Sequence, residues 1–288
     1  MIDSNLFESS LKTLGLIEVN LDSATAINEA AYQSYIKIFY LPKGYEITVD
    51  FGRHETLQPS LLFVAPNQFL KIDKVGEQAG HLIFYNRDFY CIEIHDAEVA
   101  CDGLLFNNIQ NMPLVRVGEK DNAFVSYLFG QMQDEFQLND VSLEEMIRTY
   151  LKQVLIKATR MWKSEHLDNI LADQNGDLEF YRKFTLLVDA NYRNKHSVAD
   201  YADLLCMAPK TITHKCKRLN LPQPNEIIKN RIVLEAKRLL IHTALTAKEI
   251  AYDLGYEDPA YFSRLFLAKT GTSPSGFRSG YRSKSIAQ

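Results

Sequence analysis

At Gly118 the hydrophobic period of the chain changes from two to about 3.6, and that change limits the fold more than any other feature. Before it lie short apolar runs broken by turn residues. These are Tyr35 to Leu41, the turn Pro42-Lys43-Gly44, Tyr45 to Phe51 with alternating Tyr45, Ile47, Val49 and Phe51, and Ser60 to Ala65. Phe69 to Ile72, His81 to Tyr85 and Phe89 to Ile94 continue the series. Short runs at this spacing, rich in β-branched and aromatic side chains, predict an antiparallel sandwich or small barrel. Beyond Gly118, Phe124, Leu128, Met132 and Phe136 share one helical face that ends near Asn139, and a second helix opens at Ser142 with Glu145 as its capping box. The expected class is α+β, a strand domain followed by helices to the C-terminal end.

In the second helix Ile147, Leu151, Val154, Ala158 and Met161 recur at steps of four and three. Two heptads leave two readings open. The seam either joins a second copy as a homodimer or is internal core.

Charge divides the chain at a second place, further along than the change of period. Residues 1–181 carry a net −13 and residues 182–288 a net +9, within an overall −4. A basic module beside an acidic body predicts one polyanion-binding end. The polar stretch from His166 to Glu179, with Asn175-Gly176-Asp177, reads as a linker. The expected boundaries are therefore 1–165 for a regulatory and dimerisation domain, 166–181 for the linker and 182–288 for the basic domain. Apolar runs such as Leu61 to Ala65 fall far short of the roughly 20 residues that span a bilayer, and the start Met1-Ile2-Asp3-Ser4 is not a secretion signal. A cytoplasmic protein with no membrane partner is expected. Cys91, Cys101, Cys206 and Cys216 form no CxxC pair and are too sparse for a disulfide scaffold, which predicts reduced thiols.

The basic module holds two helix-turn-helix patterns about 50 residues apart. In the first, Ser197 caps a helix over Val198 to Leu205, Cys206-Met207-Ala208 breaks it, and Pro209 opens a second helix that buries Ile212, Cys216 and Leu219. Lys210, Thr211, Thr213, His214, Lys217 and Arg218 then face outward. In the second, Thr246 caps a helix with Ile250, Ala251 and Leu254 inside, Gly255 makes the turn, and Asp258-Pro259 starts a helix with Phe262, Leu265 and Phe266 inside. Its outward face carries Ala260, Tyr261, Ser263, Arg264 and Lys269. Between the two, Asn225 to His242 is a spacer helix with Ile228, Ile232, Ala236, Leu239 and Leu240 on one side and Lys229, Arg231, Lys237 and Arg238 elsewhere. A helix fits the major groove, its N-terminal residues read base edges, and flanking Lys and Arg bind phosphate.

The stretch Ile250 to Arg278, IAYDLGYEDPAYFSRLFLAKTGTSPSGFR, resembles the signature of the AraC/XylS transcription regulators, roughly IAxxxGFxDxSYFSRxFKKxxGxSPxxYR. The resemblance runs back through Pro224, Ile228, Arg231, Ala236, Leu239 and Leu240 to Ala202, Leu205, Pro209, Ile212 and Lys217, over about residues 184–282. It implies a sequence-specific DNA-binding regulator, more in the manner of an activator. By position it implies Lys210, Thr211 and His214 as base-reading residues of the first helix, and Pro259, Ala260, Tyr261 and Arg264 of the second. Lys217 and Arg218 are expected at phosphates, Arg264 at guanine or phosphate, and Arg278 either in a structural role or at phosphate. Departures from the pattern at Ala208, His214 and Cys216 predict a weaker first reader, and Ala260 and Leu267 remove one polar and one charged contact from the second.

The resemblance also implies a cupin-like N-terminal β-domain with dimerisation helices. Double-stranded DNA is the implied partner, with RNA polymerase and a small-molecule effector as further candidates. His54, His81 and His95 do not have the spacing of a cupin metal site. His54, between Arg53 and Glu55 in a loop, is either a solvated turn residue or a pocket residue. Cys91, His95, Asp96 and Cys101 are either zinc ligands, reactive thiols or ordinary packing, and packing is the expectation because neither cysteine has a basic neighbour. The aromatic side chains of the strands either line a small-molecule cavity or fill a core. No metal, cofactor or catalytic residue is expected. The alternative is a cupin-like enzyme carrying a DNA-binding appendage, disfavoured by the missing metal triad and by the lack of GxSxG, P-loop and GxGxxG motifs.

Overall fold

The structure, a computed structural model, describes residues 5–28, 32–66, 68–91, 104–106, 114–167, 175–219 and 221–286. Contacts divide the chain into two units, Met1–Leu171 and Ala172–Gln288. The division falls inside the span read as linker, while Asn175 to Tyr181, also in that span, are helical. His95, Asp96 and Cys101 lie outside the described residues. Among the described residues no group of three or more His, Cys, Asp or Glu side chains is placed to hold a metal, and no helix is long and apolar enough to cross a membrane.

The N-terminal unit contains two antiparallel sheets. One runs β1–β2–β8–β3–β6–β9, with β1 at Asn5–Ser9, β2 at Lys12–Val19, β3 at Ile36–Leu41, β6 at Ser60–Val64, β8 at Gly80–Tyr85 and β9 at Leu114–Arg116. The other runs β5–β4–β7, with β4 at Glu46–Val49, β5 at Gly52–Glu55 and β7 at Leu70–Lys74. Helix α1, Leu21–Ile27, starts on an Asn20–Ser23 capping box and lies against β2 and β7. Alternate residues of both sheets meet in one core: Ile17, Val19, Phe39, Leu41, Ile47, Val49, Leu62, Val64, Leu70, Ile72, Leu82 and Phe84. The hydroxyl of Tyr45 reaches into this core and is saturated there. It bonds the Val19 and Gln78 carbonyls at 2.8 and 2.9 Å and accepts from the Gly80 amide at 2.7 Å. Rings outside this core pair with one another, Phe63 with Phe106, Tyr85 with Phe89 and Tyr90, and Tyr40 with Phe129. The strand aromatics thus fill cores. His54 lies in β5 opposite Ile47 and is half-buried, not in a loop.

Lys37 is buried on β3, on the same face as Phe39 and Leu41. Its ammonium donates to the Tyr32 and Tyr35 carbonyls at 2.8 and 2.7 Å, and burial lowers its pKa to about 8. Below pH 8 the amine is charged whether the chain is folded or not. Between 8 and 10.5 the unfolded chain keeps a proton that the folded chain releases, so stability rises with pH. A gain of about 1.5 kcal/mol between pH 8 and 9.5 is expected from this one group. Urea unfolding at the two pH values, followed by fluorescence of Trp162, checks it, because the gain should vanish in Lys37→Met.

Helix α2, Glu119–Leu138, and helix α3, Leu143–Leu167, pack on each other across a short loop, with α3 also against β9. The buried face of α2 is Val125, Leu128, Phe129, Met132 and Phe136, so Phe124 turns outward and Phe129 takes the inner place. Ser142 does not make the expected capping box. Its amide and hydroxyl both bond the Asp140 carboxylate, at 2.7 and 2.6 Å. The heptad seam needs a larger correction: Ile147, Leu151, Val154 and Ala158 are each 0% exposed within a single chain, and Met161 is half-buried. Such a seam has no surface left for a second copy. The three–four spacing is that of any helix laid on a flat apolar neighbour, and here the neighbours are α2 and β9.

Among the described residues the C-terminal unit has helices and no strand: α4 Asn175–Asn191, α5 Val198–Leu204, α6 Pro209–Arg218, α7 Pro224–His242, α8 Ala247–Asp253, α9 Pro259–Thr270 and α10 Pro274–Ile286. Helix α7 is its axis, touching α4, α6, α8, α9 and α10. It carries buried Ile227, Ile228, Ile232, Val233, Ala236 and Leu240.

A candidate nucleic-acid interface

The two helix-turn-helix units are built by the same local chemistry. In each, a hydroxyl caps the first helix and an acidic side chain three residues on returns the bond, Ser197 with Asp200 and Thr246 with Glu249. In each, the first helix ends in a left-handed residue, Cys206 at φ 51° and Gly255 at φ 77°. The next amide then reaches back into the helix, Met207 to the Ala202 carbonyl and Tyr256 to the Ala251 carbonyl, both at 2.9 Å. A β-carbon makes that conformation about 1 kcal/mol or more unfavourable, so Cys206 holds the first turn at some cost to stability. The second turn is one residue longer, which shifts the spacing of equivalent positions from 49 residues in the first helices to 50 in the second.

The second helix of each pair is anchored by two buried side chains one turn apart, Ile212 and Cys216 in α6, Phe262 and Phe266 in α9. This fixes the opposite face outward. Lys210, Thr211, His214, Lys217 and Arg218 of α6 are exposed, as are Ala260, Tyr261 and Arg264 of α9, while Pro259 is half-buried at the first helical position. Ala208 supplies no side-chain cap to α6, whereas Asp258 caps α9 by accepting the Ala260 amide at 2.8 Å. Burial raises the pKa of the Cys216 thiol to about 12, so it packs as a small apolar group.

Four side chains depart from the sequence-based expectation or refine it. Lys269 does not face outward but pairs with Glu226 and bonds Asn230 of α7. Leu265 is half-buried. Arg278 is structural: its guanidinium donates to the Leu240 carbonyl at 2.7 Å and the Leu245 carbonyl at 2.5 Å, closing the C-terminal end of α7 onto the start of the second unit. Arg231 is buried rather than on the outer side of the spacer. It lies over the Tyr192 ring at 3.9 Å and bonds Asp189 at 2.6 Å and Glu235 at 3.0 Å. Burial opposes both charges, yet Asp189 with its neighbours holds the arginine pKa above its usual value, and Arg231 with Arg238 and Arg193 holds that of Glu235 below. A lone arginine in an amphipathic pattern gives no signal for this. Glu235 lies one turn on in the same helix, but the closer acceptor, Asp189, comes from α4.

A sequence-family model described as a helix-turn-helix domain matches residues 201–280. The arabinose operon regulatory protein of Escherichia coli (strain K12) is 26% identical over 177 residues, 60% of this chain and 58% of that protein. Residues 201–280 are thus similar to the helix-turn-helix domain of known transcription regulators. The transcriptional activator RhaR of Escherichia coli (strain K12) is 22% identical over 191 residues, 66% of each chain. The chain thus spans less than two thirds of the length of either relative. Among solved structures, the DNA-binding domain of AdpA in complex with a target DNA matches part of the chain. It is 22% identical, covering 35% of this chain and 92% of that one at a TM-score of 0.33.

Proposed function

We propose that the chain regulates transcription as a sequence-specific DNA-binding protein, laying α6 and α9 into two successive major-groove segments. The observation that carries this reading is the repetition of one reader geometry twice in a basic unit, each time with its two anchors buried and its polar face exposed. Lys210, Thr211 and His214 meet base edges from α6, and Lys217 and Arg218 at its far end meet phosphate. On α9, Pro259, Ala260 and Tyr261 offer apolar contact of the kind a thymine methyl takes, and Arg264 offers a fork that fits guanine. The regulator names of the relatives favour this reading over a cupin-like enzyme, and we take the N-terminal unit as regulatory, not catalytic. The protein then works in the cytoplasm on double-stranded DNA, as an activator that contacts RNA polymerase. An effector would act by binding one arrangement of the units better than another. Tandem readers let one chain engage two segments without a second copy, and a homodimer needs a face other than the buried seam.

Selection of bound sequences from random DNA by the full chain, followed by salt-titrated binding to the winner, tests the reading. Two preferred blocks about one helical turn apart are expected, with affinity at least about a thousandfold above random DNA. No preference for any sequence would overturn it. Arg264→Ala should weaken cognate binding by about 1–3 kcal/mol and flatten the preference at one base position, as read by the same selection.

A further inference from the structure

We infer that Asp258 is a positioning residue for base readout: it aims Arg264 at the groove floor and away from phosphate. The inference rests on reading α9 as the second DNA reader. One carboxylate oxygen of Asp258 accepts the Ala260 amide at 2.8 Å, which fixes the side chain as the helix cap. The other oxygen is left in a defined place, and the Arg264 guanidinium lies 3.6 Å from it. Arg264 sits six residues beyond Asp258, so its side chain is folded back along the helix toward the N-terminal end. Side chains on a helix lean that way, and that end carries the base-reading residues.

An exposed pair of this kind adds little to stability. Its effect is on direction. A free arginine on a basic surface turns to the nearest phosphate, whereas a guanidinium with one edge held by a carboxylate still has donors for a bidentate contact to the O6 and N7 of guanine. The Asp258 charge also repels phosphate at this point, which lowers affinity for random DNA while leaving the guanine contact in place. The first unit has no counterpart, since Ala208 stands at the cap and His214 at the arginine position. The sharper discrimination thus belongs to α9, and α6, with Lys210, Lys217 and Arg218 exposed, is the weaker reader.

The test compares the full chain with Arg264→Ala and Asp258→Asn, each confirmed folded by far-UV circular dichroism, in selection from random DNA and in binding to selected and random duplexes. Asparagine keeps the capping acceptor and removes the charge. In Asp258→Asn, discrimination at the position read by Arg264 should fall about tenfold while affinity for random DNA rises or holds. If Arg264→Ala flattens that position and Asp258→Asn leaves it intact, the positioning role is overturned and the reader assignment stands. Loss of specific and random binding together in Asp258→Asn also overturns it, as a purely structural effect. If Arg264→Ala changes no base preference, the reading of Arg264 itself fails.

Discussion

Replacing Gly255 with alanine is expected to destabilise the C-terminal unit by about 3 kcal/mol or more. Two terms add. At φ 77° an alanine is in the left-handed region, which costs about 1–2 kcal/mol. A β-carbon at this position would also stand 1.9 Å from the Arg193 carbonyl oxygen, a main-chain atom that cannot swing aside as a side chain can. The turn of the second unit is thus pressed against the chain that leads into the first, and the substitution forces them apart. Gly271 provides the control. It has nearly the same φ, 75°, but open space where the β-carbon would go, so Gly271→Ala should cost only about 1 kcal/mol. Urea unfolding followed by far-UV circular dichroism separates the two. Trp162, the one tryptophan and buried in the N-terminal unit, should report an unchanged transition in both variants. Equal costs at the two glycines would contradict the close approach to Arg193.

Arg231→Met should cost a similar amount, about 3 kcal/mol, by a different route. The methionine fills much of the volume, but Asp189 and Glu235 lose their shared cation, and the Tyr192 ring loses the guanidinium above it. Removing one member of a buried ion pair is the expensive case, because the remaining charge stays out of water. Removing Asp189 as well, in Arg231→Met/Asp189→Leu, should recover part of the loss, and the coupling is read from a double-mutant cycle. The pH dependence has a definite sign. Glu235 titrates below its ordinary 4.5 in the folded chain, so its contribution is fully present above that value and is lost as pH falls through the lower folded one. Arg231→Met should therefore flatten the acid limb of the stability profile as well as lowering its plateau. An unaltered acid limb would mean that Arg231 does not hold the Glu235 charge. Both substitutions act on α7 and its neighbours, so DNA affinity should fall with them although neither residue lies on a reading face.

What was legible in the sequence was what is decided within a few residues. The capping boxes at Ser197 and Thr246, the proline at the start of α6 and α9, the turn at Gly255 and the buried anchors one turn apart each follow from backbone chemistry that a neighbour or two can complete. The strands β3, β4, β6, β7 and β8 were legible for the same reason, since their alternation of side chains is local. The polar strand β5 and the outlying strands β1, β2 and β9 carry too little apolar alternation, or lie too far from their partners in the chain, to announce themselves.

The partner of an apolar or charged side chain is another matter. Ile147, Leu151, Val154 and Ala158 have the spacing of a dimer seam and of a core helix alike, and only the packing of α2 and β9 over them decided for core. Arg231 and Lys269 sit where an amphipathic pattern puts solvent, and acceptors on other elements drew both inward. Arg264 was legible as an exposed cation, but its direction depends on which oxygen of Asp258 the helix cap leaves over. Periodicity and caps are properties of one segment and are fixed by the sequence of that segment. Burial and ion pairing are relations between segments, and only folding brings their members together.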